Sequence, residues 1–222
     1  MYTHFILIPF SIVLIVLYAL ARKRNDLKRV AILQPLGTLV SILIAACGLL
    51  TPNANVGFTM WILGGLILSF AGDINNVDMA DDRTVIVGLI IFVLAYLTYP
   101  IGLTIYNGFH RPDLIVGAVL LCAYVLFMNY LWAGLNQWRI PVLIYGLVMP
   151  FMVNRAISTF FGSTFSTTQA FLLSAGTLML YLGDMEYGIH RFRKPIPMHF
   201  GPYLYSGGQL LIAVSPSCFA WP

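Results

Sequence analysis

Two aspartates in strongly apolar surroundings are the residues of this sequence best placed to do chemistry. Asp73 follows Gly72 at the end of one apolar run, and Asp184 follows Gly183 at the end of another. An ionisable side chain in such a run is costly and is therefore a functional candidate. Two carboxyl groups in low dielectric suit acid–base work, with one kept protonated and the other ionised. The alternative is that each Gly-Asp pair only marks a helix end at a membrane interface.

The rest of the chain has the composition of a membrane protein. Of its 222 residues, 59% are hydrophobic and 9% are charged, and the mean hydropathy is +0.86. A water-soluble domain of this size needs more polar surface. In lipid the backbone must satisfy its own hydrogen bonds, and the apolar runs lack the alternation of barrel strands. We therefore predict one all-α domain, residues 1–222, forming a polytopic bundle of transmembrane helices.

About eight segments approach the roughly 20-residue length that crosses a bilayer. Breaks rich in turn-forming residues separate several of them, and glycines and prolines weaken the last. Because the two Gly-Asp pairs end the third and seventh segments, their helices run in the same direction, which suggests two parallel four-helix halves. The predicted spans are residues 3–21, 31–50, 58–75, 84–106, 114–132, 140–161, 167–189 and 199–216.

The distribution of basic residues predicts the topology. No lysine or arginine precedes the first span, and a basic run from Arg22 to Arg29 follows it, which favours a retained helix over a cleaved signal. With that run in the cytoplasm, only Arg111 falls outside and Arg155 falls within a span. The chain is thus predicted to be a multi-pass integral membrane protein with both termini on the non-cytoplasmic side. Topology also explains the net charge of +4, so no nucleic-acid partner is expected.

Several other polar residues within the spans are candidates for substrate binding. With this topology the two aspartates and Gln34, Asn129, Tyr205 and Gln209 lie toward the cytoplasmic leaflet, which predicts one shared cavity. An arginine in the middle of a span, such as Arg155, needs a partner. The alternatives are a substrate phosphate, one of the aspartates, or a group with a purely structural role. Each tyrosine has a plain alternative as a packing aromatic. The candidate binding residues are Gln34, Tyr96, Tyr99, Asn154, Arg155, Tyr205 and Gln209.

Familiar cofactor and nucleophile motifs do not occur in the sequence. It has no nucleotide-binding glycine loop, no metal-ligand cluster and no Gly-x-Ser-x-Gly motif. Its three cysteines are far apart, and its four histidines are dispersed near predicted span ends. We therefore expect neither a metal nor a cofactor.

A set of short motifs follows a particular order along the chain. The motifs are Gln34-Pro35-Leu36, Gly72-Asp73, the aromatic stretch 92–99, Gly183-Asp184 and Tyr205-x-x-x-Gln209. In this order they resemble the YhhN, or lysoplasmalogenase-like, family of eight-span membrane proteins. The family usually has lysine where this chain has Gln34 and histidine where it has Tyr96. Both replaced groups suit phosphate binding or proton sharing.

The resemblance implies hydrolysis of the vinyl ether bond of a lysoplasmalogen. An alkenyl-glycerophosphocholine or -ethanolamine would give a fatty aldehyde and the glycerophospho headgroup. Protonation of the alkenyl carbon creates an oxocarbenium-like cation, so Asp73 and Asp184 are expected to share the roles of acid and stabilising carboxylate, in an order that the sequence leaves open. The expected partners are a lysophospholipid substrate and membrane lipids.

Two other functions remain open at this point. One is a proton-coupled carrier of a small molecule or lipid, which would need polar residues along a route to both faces of the membrane. The other is an inactive lipid-binding relative. A hydrolase instead needs a pocket that opens to one leaflet.

Overall fold

The computed structural model describes residues 6–51, 54–75, 82–194, 196 and 200–218. These residues are mostly helical and include no strand, which confirms the all-α prediction. The predicted ends of the first and last spans, residues 3 and 199, lie outside the described residues. The helices are α1 (Leu7–Lys23), α2 (Leu27–Gly48), α3 (Val56–Asn75), α4 (Asp82–Asn107), α5 (Pro112–Leu135), α6 (Arg139–Ser158), α7 (Thr167–Phe192) and α8 (Gly201–Val214), with short 3₁₀ turns at Asn136–Trp138 and Ser215–Cys218.

Four helical stretches are long and apolar enough to cross a membrane. They are Leu27–Gly48, Val56–Asn75, Asp82–Asn107 and Pro112–Ser158, of which the last contains α5 and α6. They make the chain a membrane protein. Helices α1 and α8 have 17 and 14 residues, and α7 carries Asp184, Glu186 and Arg191. Eight crossings and the side of each terminus therefore stay predictions.

Large apolar side chains cover the outside of the bundle, most completely along α5. Leu114 is 79% exposed and Ile115 71% exposed, and Leu126 farther along the same helix is 70% exposed. A soluble monomer does not carry a continuous apolar surface of this kind. In a bilayer these side chains meet lipid tails, which accounts for the position of α5 at the edge of the bundle.

Small residues let the helices that carry the two aspartates pack closely against the next helix. On α7, a Cβ added at Gly176 would lie 2.8 Å from the carbonyl oxygen of Gly208 on α8. On α3, a Cβ added at Gly65 would lie 2.5 Å from the ring of Tyr99 on α4. Contacts this short require glycine, so the α3–α4 and α7–α8 hairpins are built on small-residue packing.

The bundle has one end rich in basic residues, which we call the basic end. It carries the α1–α2 turn with Arg22, the start of α4, the α5–α6 turn and the end of α7. Asp82 of α4 forms an ion pair with Arg191 of α7 there, and the rings of Trp138 and Phe192 are 6.1 Å apart. The α4–α5 and α6–α7 turns lie at the other end, which we call the opposite end.

Candidate active site

A pocket lies in the half of the bundle nearest the basic end. It encloses about 1050 Å³ of empty space, its open mouth included. Helices α4 to α7 form most of its wall, and aromatic and aliphatic side chains such as Phe92, Phe127 and Met149 dominate the lining. Its polar wall groups come from seven helices and are Tyr18, Gln34, Tyr96, Tyr124, Tyr145, Tyr181, Asp184, Tyr187 and Tyr205.

Asp184 lies in this wall on the second half of α7 and is half-buried. Its Oδ2 accepts a hydrogen bond from the Tyr145 hydroxyl at 2.5 Å. Tyr96 lies beside this pair, with its ring 6.1 Å from that of Tyr145, and its buried hydroxyl has no hydrogen-bond partner among the described residues. Asp184, Tyr145 and Tyr96 therefore form one polar cluster in the pocket wall.

Asp73 is fully buried behind the pocket wall, with 0% exposure. Its carboxyl oxygens accept hydrogen bonds from Gln34 Nε2 at 2.8 Å, from the Tyr205 hydroxyl at 2.6 Å and from the Thr38 hydroxyl. Gln34 and Tyr205 line the pocket themselves. Asp73 thus acts as a buried acceptor that fixes two groups of the wall from α2 and α8.

The hydrogen-bond network continues from Gln34 to the basic end. Its Oε1 accepts hydrogen bonds from the Tyr18 hydroxyl and from Arg22 Nη2, each at 3.0 Å. Arg22 is half-buried, so its guanidinium connects the surface of the basic end to Gln34 and, through it, to Asp73. A cation therefore lies next to the polar wall of the pocket.

The two aspartates have corresponding partners. Gln34 of α2 donates to Asp73 of α3, and Tyr145 of α6 donates to Asp184 of α7, each across 39 residues of sequence. A tyrosine from the other half completes each group. Tyr205 on α8 donates to Asp73, and Tyr96 on α4 lies beside Asp184. This is the correspondence that two parallel four-helix halves would produce.

Three polar residues predicted from the sequence do not line the pocket. Two of them are buried elsewhere in the bundle, and the third is exposed. Tyr99 and Gln209 are each 1% exposed, and the Tyr99 hydroxyl and the Gln209 amide have no hydrogen-bond partner among the described residues. Asn129 is exposed on the outer face of α5. The prediction that Asn129 shares the cavity is therefore wrong, because depth along a helix does not say which way a side chain faces.

Asn154 and Arg155 lie at the opposite end, away from the pocket. Arg155 Nη1 is 2.6 Å from Asp113 Oδ2, and its Nε donates to the Thr104 hydroxyl at 3.0 Å. Asn154 Nδ2 donates to the backbone oxygen of Asp113 at 2.9 Å. Of the three kinds of partner open to Arg155, the structure gives it an aspartate, but neither of the two predicted catalytic ones.

Sequence reasoning missed several residues of the site, among them Tyr18, Arg22, Thr38 and Tyr145. Arg22 was interpreted only as a topology signal. Thr38 lies one helical turn after Gln34, so the spacing on α2 places both on one face. Tyr145 precedes Asp184 by the same number of residues as Gln34 precedes Asp73, so aligning the two Gly-Asp motifs would have found it.

A family model described as the YhhN family matches residues 30–216, which cover α2 from near its start to the end of α8. The chain belongs to the YhhN family. The match confirms the resemblance drawn from the motifs and includes both aspartates with Gln34, Tyr145 and Tyr205. Tyr18 and Arg22 on α1 precede the part of the chain that matches the YhhN model. No curated protein and no solved structure matches the chain.

Proposed function

We propose that this YhhN protein hydrolyses the vinyl ether bond of a lysoplasmalogen in the pocket of the basic half. The observation that carries the proposal is a mostly apolar pocket with one half-buried carboxyl group, Asp184, in its wall. The aromatic and aliphatic lining suits an alkenyl chain. The polar groups toward the basic end suit the glycerophospho headgroup.

In the proposed reaction Asp184 is the acid. Its carboxyl proton moves to the second carbon of the alkenyl group, and the ether oxygen shares the positive charge that forms on the first carbon. Water adds to that first carbon and returns a proton to the Asp184 carboxylate. The hemiacetal hydroxyl then loses its proton as the carbon–oxygen bond to glycerol breaks, and the glycerol oxygen gains a proton, which releases a fatty aldehyde and the glycerol hydroxyl. The sum is one vinyl ether and one water converted to one aldehyde and one alcohol.

Asp184 suits the acid role better than Asp73 because its side chain lines the pocket, whereas that of Asp73 does not. Asp73 has its oxygens engaged by three donors and lies behind Gln34 and Tyr205. In this proposal Asp73 is a positioning residue that orients those two side chains. Its buried carboxyl group also supplies the second acidic group of the pair expected for this chemistry.

The two departures from the usual YhhN pattern are compatible with activity. Gln34 stands where lysine is usual, and the guanidinium of Arg22 contacts its side chain at 3.0 Å, so a cation is retained at this place. Tyr96 stands where histidine is usual, and it places a hydroxyl beside Tyr145 and Asp184. Each missing group therefore has a neighbour of related chemistry.

The test is aldehyde release from a lysoplasmalogen by the purified protein in detergent or nanodiscs. We expect the wild type to release one aldehyde per headgroup, and Asp184→Asn to lower kcat by about 100-fold or more, as is typical of a lost acid–base group. Asp73→Asn should lower kcat less, because Asn still accepts hydrogen bonds. In D₂O the aldehyde trapped at once should carry one deuterium at its second carbon.

Asp113→Asn is the matched control, since Asp113 is also a buried aspartate but lies at the opposite end. Activity per folded molecule should survive in this variant. Aldehyde release by Asp184→Asn at the wild-type rate would refute the acid assignment. Folded wild type that binds the lipid but releases no aldehyde would instead indicate the inactive lipid-binding relative.

A further inference from the structure

An unpartnered hydroxyl lies in the pocket wall between the acid and the basic end. Tyr187 lines the pocket on α7, and its buried hydroxyl has no hydrogen-bond partner among the residues that the structure describes. Its charged neighbours are Arg191, Asp184 and Arg22. Buried polar atoms are nearly always hydrogen-bonded, so a molecule bound in the pocket would supply the partner that this hydroxyl lacks. Arg191 lies one helical turn further along α7, and Arg22 bonds to Gln34 of the pocket wall, so the group that fits between them is an anion.

Both arginines have capacity left to bind an anion. Arg22 donates only to neutral oxygens, those of Gln34 and Tyr18, and forms no ion pair within the described part of the chain. Arg191 is ion-paired with Asp82, but its buried Nε has no hydrogen-bond partner among the described residues. Guanidinium N–H groups together with a hydroxyl are a typical donor set for a phosphate.

Arg191 is also held in place before any ligand binds. Its ion pair with Asp82 joins α7 to α4, and its guanidinium lies 5.9 Å from the ring centre of Trp138 and 5.8 Å from that of Phe192. A side chain already fixed in this way loses little conformational freedom on binding. The rigid part of the donor set therefore lies on α7, and Arg22 approaches it from α1.

We propose that Arg22, Tyr187 and Arg191 bind the headgroup phosphate of the lysophospholipid whose ether bond lies at Asp184. This inference rests on the proposed function and deepens it, because it assigns a recognition site for the headgroup. It also gives α1, the helix outside the part that matches the YhhN model, a direct role in substrate binding.

The spacing along α7 fits a single lysophospholipid molecule. Asp184, Tyr187 and Arg191 follow one another at three and four residues and so share one helix face. Tyr187 lies about 4.5 Å and Arg191 about 10 Å along the axis from Asp184, at the rise of an α-helix. The glycerol unit separates the ether oxygen from the phosphorus by five bonds, on the order of 6 Å when extended. A phosphate between Tyr187 and Arg191 therefore places the vinyl ether at Asp184.

The experiment measures binding of lipids that cannot be hydrolysed. The probes are a saturated 1-alkyl-lysophosphoethanolamine and a 1-alkylglycerol of the same chain length, which lacks the phosphate. Wild type should bind the phosphate-bearing lipid more tightly. Arg22→Gln and Tyr187→Phe should each weaken that binding about tenfold, as expected for one charge-assisted hydrogen bond, and leave alkylglycerol binding unchanged. Arg22→Lys should restore part of the loss.

Arg24→Gln is the matched control, because Arg24 is an exposed arginine of the same turn and should leave both affinities at the wild-type value. Equal losses for both lipids, or none for the phosphate-bearing lipid, would overturn the proposal. Inorganic phosphate that competes at the lipid's own concentration range would assign the site to a free anion and overturn it as well. Because binding needs no turnover, an inactive enzyme would refute the proposed function without affecting this result.

Discussion

Replacing Arg155 tests whether the buried charges at the opposite end are structural. Arg155 and Asp113 have side-chain exposures of 1% and 7%, and Arg155 Nη1 lies 2.6 Å from Asp113 Oδ2. Arg155→Met leaves a buried carboxyl group without its cation, which typically costs about 3–5 kcal/mol. The backbone N–H of His110 still donates to Asp113 Oδ2 at 2.8 Å. We therefore expect a loss near the lower limit, about 3 kcal/mol, or on the order of 10 °C in Tm.

The measurement is the Tm of the wild type, both single variants and the double variant in detergent, with circular dichroism as the probe of thermal unfolding. Asp113→Asn should also destabilise, and the double variant Arg155→Met with Asp113→Asn should lose less than the sum, because neither charge is then left alone. Arg29→Met is the control, since its ion pair with Asp26 is 67% exposed on the arginine side and contributes at most about 1 kcal/mol. A wild-type Tm for Arg155→Met, or additive losses in the cycle, would contradict this reasoning.

Two further substitutions test the hydrogen bond to Asp184 and the packing of α7, the helix that carries Asp184, against α8. Tyr145→Phe removes the hydroxyl that donates to Asp184, so kcat should fall about tenfold while Tm changes little; an unchanged kcat would mean that this hydrogen bond does not orient the acid. Gly176→Val places a branched side chain against the carbonyl oxygen of Gly208, 2.8 Å from the new Cβ, and should lower Tm by separating α7 from α8. Gly64→Val, where a Cβ meets nothing within 4 Å, is its control, and equal Tm values for the two variants would count against small-residue packing as the cause.

Hydropathy predicted where the helices lie along the sequence, and local chemistry explains several boundaries. α7 begins at Thr167 as predicted, because Ser166 and Gln169 form a capping box at its start. α2 begins at Leu27, four residues before the predicted span, because the Asp26 side chain accepts a hydrogen bond from the backbone N–H of Arg29 and caps the helix. Both devices act within one turn, so they are readable from the sequence once they are sought.

The direction in which each side chain faces was much harder to predict. Membrane helices are apolar on both their lipid-facing and protein-facing sides, so periodicity gives little information about the inner face. Asn129 and Tyr145 show the consequence: the first faces outward from α5, and the second faces Asp184 from α6. The partner of Arg155, Asp113, lies 42 residues away on another helix. Such pairings depend on how helices are arranged around one another, which depth along each helix does not specify.

The two ends of the bundle are built differently, and this difference favours a hydrolase over a carrier. A carrier must open a polar route at both ends, whereas the pocket found here belongs to the basic half. In the opposite half, aromatic packing such as that of Phe58 on Phe165, with ring centres 5.0 Å apart, fills the interior. The Arg155–Asp113 pair then ties α6 to the start of α5. Opening that end would break this buried ion pair and the hydrogen bonds of Arg155 to Thr104 and Gly108. Under the proposed function no such opening is needed, since the headgroup leaves at the basic end and the aldehyde returns to the lipid.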